Sequence, residues 1–268
     1  MTVAEDLSLA LSLADAADAL ALPRFEAHDF AVESKPDLTP VTEVDRAVEQ
    51  LVSERLATER PDDALLGEEF GSRGGEAGRR WIIDPIDGTK NFVRGVPVWA
   101  TLIGLYDGDR SLVGVVSAPA LGLRWWASAG AGAFRSVRGG EAQRLAVSQV
   151  RDLADASVSY SSLSGWQERG MRDRLLGLFD RVWRTRAYGD FWSYMMVAEG
   201  VVDIAAEPEL ELYDMAALVP IVQEAGGTFT GLDGTPGPFG PDAIASNGPL
   251  HEAGRALVTG EAVAGGSA

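Results

Sequence analysis

Two carboxylates, Asp84 and Asp87, stand three residues apart in the run Trp81-Ile82-Ile83-Asp84-Pro85-Ile86-Asp87-Gly88-Thr89-Lys90-Asn91-Phe92. They leave the end of a short apolar segment that reads as a buried strand, and Pro85 fixes the backbone between them. Carboxylate oxygens are the donors that hard divalent cations prefer. Mg2+ in particular keeps several waters and takes phosphate oxygens beside one or two carboxylates. Gly88-Thr89-Lys90-Asn91 then reads as a turn entering a helix, where free N–H groups and the positive dipole end favour an anion. One stretch thus offers cation ligands and a phosphate cradle together. The plainer alternative, Asp84 as the cap of a turn after a strand, would leave a carboxylate at a sheet terminus without a cationic partner.

Two other acidic features are candidates to complete such a site. Glu68, in Gly67-Glu68-Glu69, lies sixteen residues before Asp84 on a separate segment, and Asp214 begins Asp214-Met215-Ala216-Ala217-Leu218. Taken alone, Glu68 reads as a solvated surface glutamate and Asp214 as a helix N-cap. No other constellation competes. There is no phosphate-binding Gly-x-x-x-x-Gly-Lys-Ser/Thr loop, and Gly130-Ala131-Gly132 lacks the third glycine of a dinucleotide fingerprint. The only histidines, His28 and His251, stand apart and read as surface residues, so a Ser–His–Asp triad is not expected. Cysteine is absent, which removes thiol nucleophiles, disulfides and zinc–thiolate sites.

The elements that must carry these residues follow from periodicity. Leu7, Leu11, Ala14 and Ala17 recur at helical spacing, with Pro23 expected to stop that helix. Val44, Val48, Leu51, Val52 and Leu56 mark a second helix ending before Pro61. Strands are expected at Trp81–Ile83, Val98–Tyr106, Leu112–Ser117, Arg124–Ala127, Val201–Ala206 and Thr228–Leu232. Helices are expected at Met171–Val182, Asp190–Glu199 and Asp214–Ala225, the last closed by Gly226-Gly227. Trp125 and Trp126 fall on opposite faces of their strand and read as packing residues. A helical start, a meander of strands and then alternating helix and strand predict a layered α+β or α/β protein, neither a TIM barrel nor a doubly wound sheet.

Composition narrows the partners. Lys plus Arg number 23 against 40 Asp plus Glu, a formal charge of −17 over 268 residues. Such a charge repels phosphate backbones and anionic lipid, so neither nucleic acid nor membrane is an expected partner, whereas metal cations and cationic small molecules are suited to it. The first 22 residues hold Glu5, Asp6, Asp15 and Asp18 but no Lys or Arg, unlike a signal peptide, and no apolar window is long enough to span a bilayer. The expectation is a cytoplasmic protein with a single domain over residues 1–260, in two lobes sharing one core. A Gly-rich disordered tail is expected over 261–268.

Together, Glu68-Glu69, the string Trp81-Ile82-Ile83-Asp84-Pro85-Ile86-Asp87-Gly88-Thr89 and Asp214-Met215-Ala216-Ala217 resemble the inositol monophosphatase superfamily of Mg2+-dependent, Li+-sensitive phosphatases. The resemblance runs from about Leu7 to Leu257, and the Asp-Pro-Ile-Asp-Gly-Thr string is its specific part. It implies an αβαβα sandwich of the inositol monophosphatase and fructose bisphosphatase type, usually a homodimer, acting on a small phosphate ester. By position, it implies that Glu68, Asp84 and the Ile86 carbonyl hold one Mg2+. Asp84, Asp87 and Asp214 would hold a second, and a third would bind weakly near Glu68. The N–H groups of Gly88 and Thr89 would receive the phosphate, and Asp45 would work with Thr89 on the attacking water. Lys35 resembles the family's lysine upstream of that aspartate, and Glu207 matches a position that touches the organic part of the substrate.

Three departures leave the implied metal ligands untouched: Lys90 where a second threonine is common, Tyr213 where tryptophan is frequent, and Leu218 where glycine often stands. The wording from Gly88 to Ile103, with Ser117-Ala118-Pro119-Ala120 and Arg124-Trp125-Trp126, is most similar to the histidinol-phosphatase branch. That similarity implies conversion of L-histidinol phosphate to L-histidinol in histidine biosynthesis. The alternatives are an inositol-1-monophosphatase or broad sugar-phosphate phosphatase, and a catalytically silent metal-binding protein. A substrate carrying an ammonium would suit carboxylates near Asp214, and Glu207, Glu209, Glu211 and Asp190 are candidates. Solvated loop charges (Glu209, Glu211) and an N-cap (Asp190) are the alternatives. Arg186 is a further candidate, for the phosphate or for a partner's site.

Overall fold

The computed structural model describes residues 2–36, 38–75 and 78–261, so the tail expected over 261–268 lies, from 262 onward, outside the described residues. Helix α1 (Val3–Ala27) opens on a capping box, in which Thr2 and Glu5 satisfy each other's backbone N–H groups. It leads into a short hairpin, β1 (Val32–Ser34) and β2 (Pro40–Thr42), and then into α2 (Glu43–Glu59). A large sheet follows, built from β3 (Ala64–Gly67), β4 (Gly71–Arg73), β5 (Arg79–Asp87), β6 (Ala100–Asp107), β7 (Arg110–Ala118), β8 (Leu123–Ser128), β9 (Gly132–Val137) and β10 (Gln143–Arg144). Its order is β10-β9-β8-β7-β6-β5-β3-β4, antiparallel except for the β3–β5 pair. Helix α3 (Thr89–Arg94) sits in the β5–β6 connection.

The second half builds a smaller sheet of order β12-β11-β13-β15-β14, from β11 (Ser157–Tyr160), β12 (Arg184–Arg186), β13 (Ile204–Glu207), β14 (Thr228–Thr230) and β15 (Ala243–Ser246). Its helices are α4 (Leu163–Glu168), α5 (Arg172–Phe179), α6 (Asp190–Ala198), α7 (Leu212–Met215), α8 (Leu218–Glu224) and α9 (His251–Thr259). Five layers result. Leu9, Leu13 and Ala14 of α1, with Val52 and Leu56 of α2, cover Trp81, Ile83, Ile103 and Val115 on one face of the large sheet. The other face buries Leu102, Val116 and Trp125 against Phe191, Met195, Leu218 and Val222 of α6 and α8, which also cover the small sheet at Ala205 and Ala245. Beyond that sheet, Trp166, Leu175, Leu178 and Val258 of α4, α5 and α9 pack on Val158, Ile204 and Ile244. The αβαβα order expected from the resemblance is the order observed. Among the described residues, no helix is long and apolar enough to cross a membrane.

Several elements differ from the periodicity reading. Pro23 does not stop α1, which runs four residues further. A proline inside a helix costs about 3 kcal/mol, and here tertiary contacts offset it. Phe25 packs on Phe92 and Trp99, and the left-handed cap at His28 closes the helix through Arg24 and Phe25 carbonyls. The expected helix over 214–225 is two, α7 and α8, because Pro220 has no N–H for the Ala216 carbonyl; the Tyr106 hydroxyl donates to that carbonyl instead, at 3.0 Å. Nor is His251 a surface residue. It is buried between the hydroxyls of Thr230 (3.0 Å) and Ser246 (3.1 Å) and closes the smaller sheet against α9. The expected strand 201–206 is shifted to Ile204–Glu207, which puts Glu207 at its exit.

Candidate active site

In a regular strand, residues three apart point to opposite faces. Asp84 pairs with Leu102 and Asp87 with Ala100, so the register slips between them, and this bulge at Pro85-Ile86 turns both carboxylates to one side. Thr101 holds the bulge by donating to the Pro85 carbonyl at 2.9 Å. Asp214 comes to the same place from α7, where one of its oxygens closes a capping box by accepting from the Glu211 N–H at 2.7 Å. It is therefore the third helical residue and not the N-cap, and its second oxygen is left for the site. Asp84, Asp87 and Asp214 each offer an oxygen within 4.8 Å of the other two.

Helix α7 can come this close because the sheet beneath it is bare. A Cβ on Gly104 would lie 3.0 Å from the Ala216 backbone, and one on Gly114 would lie 2.3 Å from the Ala217 carbonyl oxygen. Gly88, with φ +83°, supplies the left-handed turn out of β5, and a Cβ there would meet the Val98 carbonyl at 2.9 Å.

The electrostatics of this cluster are those of like charges held together. Burial, then Glu68, Asp87 and Asp214, raises the Asp84 carboxyl well above its ordinary value. Burial, then Asp190 and Asp214, does the same to Asp87, and burial pushes Asp214 up to about 7. Asp84 is 2% exposed, and its Oδ1 has no hydrogen-bond partner. An orphaned buried carboxylate oxygen among all-oxygen donors fits a hard divalent cation and suits neither a soft metal nor an apolar ligand.

Other expected residues flank the cluster. Asp45, in the first turn of α2, accepts from the Thr42 N–H (2.9 Å) and hydroxyl (2.5 Å). Its remaining oxygen lies 3.2 Å from the Thr89 hydroxyl, which also lies 2.9 Å from the Ile86 carbonyl oxygen. Burial pushes Asp45 up to about 6. Glu68 stands at the rim and outside the group of three; Lys35, on the hairpin, bridges it (2.7 Å) and Glu69 (2.6 Å).

On the opposite side, Glu207 is buried, with the Tyr194 hydroxyl of α6 facing its carboxyl. Burial, then Asp190 and Asp214, raises its carboxyl well above the ordinary value. Asp190 has φ +51° and makes no capping bond; Gly189 is the N-cap of α6. Asn91 donates to the Asp190 carboxylate at 2.8 Å, and the Phe191 N–H donates to Asp87 at 2.7 Å, which ties α6 to the motif. Glu209 and Glu211 are exposed, the latter serving as the cap of α7. Arg186 is not brought to the cluster: on edge strand β12 it is exposed and donates to the neighbouring Thr185 carbonyl. Three contributors were not singled out from the sequence. Asn91 lies inside the dense motif and was within reach; Tyr194, facing Glu207 from α6, and Glu49 of α2 gave no signal.

The sequence profile described as the inositol monophosphatase family matches residues 3–263. A Mycobacterium tuberculosis protein named histidinol-phosphatase is 60% identical over 248 residues, 92% of this chain and 95% of its own. A Streptomyces coelicolor protein of the same name is 62% identical over 252 residues, 92% of this chain and 94% of its own. Among solved structures, an IMPase of Thermotoga maritima superposes with a TM-score of 0.84 at 30% identity, covering 96% of this chain and 98% of its own.

Proposed function

The chain belongs to the inositol monophosphatase family, and from that premise we propose that it is a Mg2+-dependent histidinol-phosphatase, hydrolysing L-histidinol phosphate to L-histidinol and inorganic phosphate in histidine biosynthesis. Asp84, Asp87 and Asp214, with Glu68 and the Ile86 carbonyl, would hold two Mg2+ ions, and a third would bind more weakly near Glu68. When bound, the ions supply an acidified water and neutralise charge on the phosphoryl and leaving oxygens. Li+ is expected to inhibit by competing for these carboxylates. The same reading takes the protein to be a homodimer, on the strength of the family resemblance, and to work in the cytoplasm.

The chain's own groups do the rest. Thr89, by donating to Asp45, keeps a lone pair free to orient an attacking water, and Asp45 is the base behind it. A carboxyl pushed up to about 6 is a stronger proton acceptor than an ordinary aspartate. The N–H groups of Gly88 and Thr89, at the head of α3, receive phosphoryl oxygens. Carboxylates do not bind phosphate, so Glu207 and Asp190 belong to the organic end of the substrate.

The observation that carries the substrate choice is the convergence of the buried Glu207 carboxyl and Asp190 on the Asp87–Asp214 side, where burial and these neighbouring carboxylates hold Glu207 well above its ordinary value although Tyr194 faces it. A cationic group on the substrate matches those carboxylates, and the identities of 60% and 62% to relatives named histidinol-phosphatase support it. The test is phosphate release with Mg2+ from L-histidinol phosphate and from myo-inositol 1-phosphate at equal concentration. A preference of about 100-fold, roughly 2.7 kcal/mol, for histidinol phosphate is expected. A preference for inositol phosphate would move the function to an inositol-1-monophosphatase, and silence on both with Mg2+ binding intact would leave a metal-binding protein.

A further inference from the structure

Glu49 sits on α2, one turn after Asp45, is 1% exposed and takes no part in the chemistry above. Its carboxylate accepts from two consecutive backbone N–H groups, Glu69 through Oε2 at 2.7 Å and Phe70 through Oε1 at 2.9 Å. Those amides lie in the three-residue turn Glu68-Glu69-Phe70 that joins β3 to β4. Gly67, the last residue of β3, pairs with Ile83, the residue before Asp84, so this turn begins level with the carboxylate cluster. Gly67 also has no room for a side chain: a Cβ would fall 1.9 Å from Glu49 Oε1 and 2.3 Å from its carboxyl carbon.

We infer that Glu49 is a positioning residue for the cation site, clamping the β3–β4 turn so that Glu68 is presented beside Asp84, and that Gly67 is glycine because that carboxylate lies directly over it. A three-residue turn has few internal hydrogen bonds, and a carboxylate accepting two adjacent N–H groups is a strong restraint on both of them. Glu49 then acts on the cation as an outer residue does, by fixing the direction of a ligand it does not touch. The inference rests on the reading of Glu68 as a cation ligand.

The test compares Glu49→Gln and Gly67→Ala with Glu68→Gln, measuring Mg2+ binding by titration calorimetry on the substrate-free protein. Amide exchange at Glu69 and Phe70 is followed by NMR. An uncharged Gln has one acceptor for two donors and directs its own NH2 at the other, so both amides should lose protection. Mg2+ affinity should fall by roughly 10–100-fold, the scale for outer-residue changes at metal sites. At saturating Mg2+, kcat should stay within about threefold of wild type, a split that mere loss of folded protein does not produce. Gly67→Ala should act in the same direction, and should add nothing in a Glu49→Ala background, where the carboxylate it displaces is gone. Glu49→Gln with unchanged Mg2+ affinity, beside a Glu68→Gln that loses it, would overturn the role of Glu49 alone. A Glu68→Gln variant that binds Mg2+ normally would remove Glu68 from the ligand set, and this inference with it.

Discussion

Asp84, Asp87 and Asp214 are gathered at a distance where a bound cation or retained protons must offset their repulsion, and burial raises each carboxyl before any neighbour is counted. Replacing one of them should therefore separate function from stability. Asp87→Asn is expected to lower Mg2+-dependent turnover by roughly 100- to 1,000-fold, the loss seen when a preorganised transition-state contact is removed. Its metal-free melting temperature should be equal to or above wild type, because a buried like charge is gone. Near-normal turnover would sink the metal assignment. Glu207→Gln should raise KM for histidinol phosphate more than for an aryl phosphate that has no ammonium; an equal loss on both would take Glu207 off the substrate. Asp45 has its own signature. As a proton acceptor it must be ionised, so kcat/KM should fall about tenfold per pH unit on the acid side of its pKa, at or below about 6 because bound cations can only lower it. Asp45→Asn should abolish that limb, and a limb that survives would assign it to another group.

At the scale of elements, the site depends on how closely α7 and α8 lie on the large sheet. Gly114→Ala puts a methyl into the Ala217 carbonyl and should cost about 1–3 kcal/mol by overpacking. It should also weaken Mg2+ binding, because Asp214 rides on the displaced turn. Thermal unfolding and calorimetry on one variant report both, and a stability loss without an affinity loss would uncouple the turn from the site. Contiguity explains what could be read in advance. The Asp84–Thr89 string was legible because its chemistry lies within six residues, and the long β5–β8 strands because their apolar runs are unbroken. Short strands such as Ala64–Gly67 and Ala243–Ser246 have too few residues for a period to show, although one carries Glu68 at its exit. Glu49 and Asp190 were opaque or ambiguous for a different reason. A glutamate on a helix and an aspartate near a helix start are ordinary, and only tertiary packing buries the first and gives the second its positive φ. Pro23 misled because propensity is local while Phe25's partners are far away in the chain.

For the whole molecule, the same carboxylates set the pH dependence of folding. The unfolded chain releases their protons near ordinary carboxylate values of about 4. The folded chain keeps them, since Asp84, Asp87, Glu207, Asp45 and Asp214 are all raised, the last two to about 6 and about 7. The folded state thus binds more protons, and stability from this source is lost as pH rises from about 4 through about 7. His251 works the other way. Burial lowers its pKa, so its contribution is present above about 6.5 and is lost as pH falls below that value. Chelator-treated protein should melt higher at pH 6 than at pH 8, and added Mg2+ should raise the melting temperature more at pH 8; an equal rise at both would mean the cluster is not where the cation binds.

The bulge at Pro85-Ile86 and the α7 turn also lie far apart in the order of synthesis. Asp87 leaves the ribosome 127 residues before Asp214, about 6–25 s at cellular elongation rates of roughly 5–20 residues per second. During that interval the nascent chain displays two of the three converging carboxylates and nothing to close the triangle. Any translation product that stops short of α7 keeps the most recognisable motif of the protein but lacks the third carboxylate of the cluster.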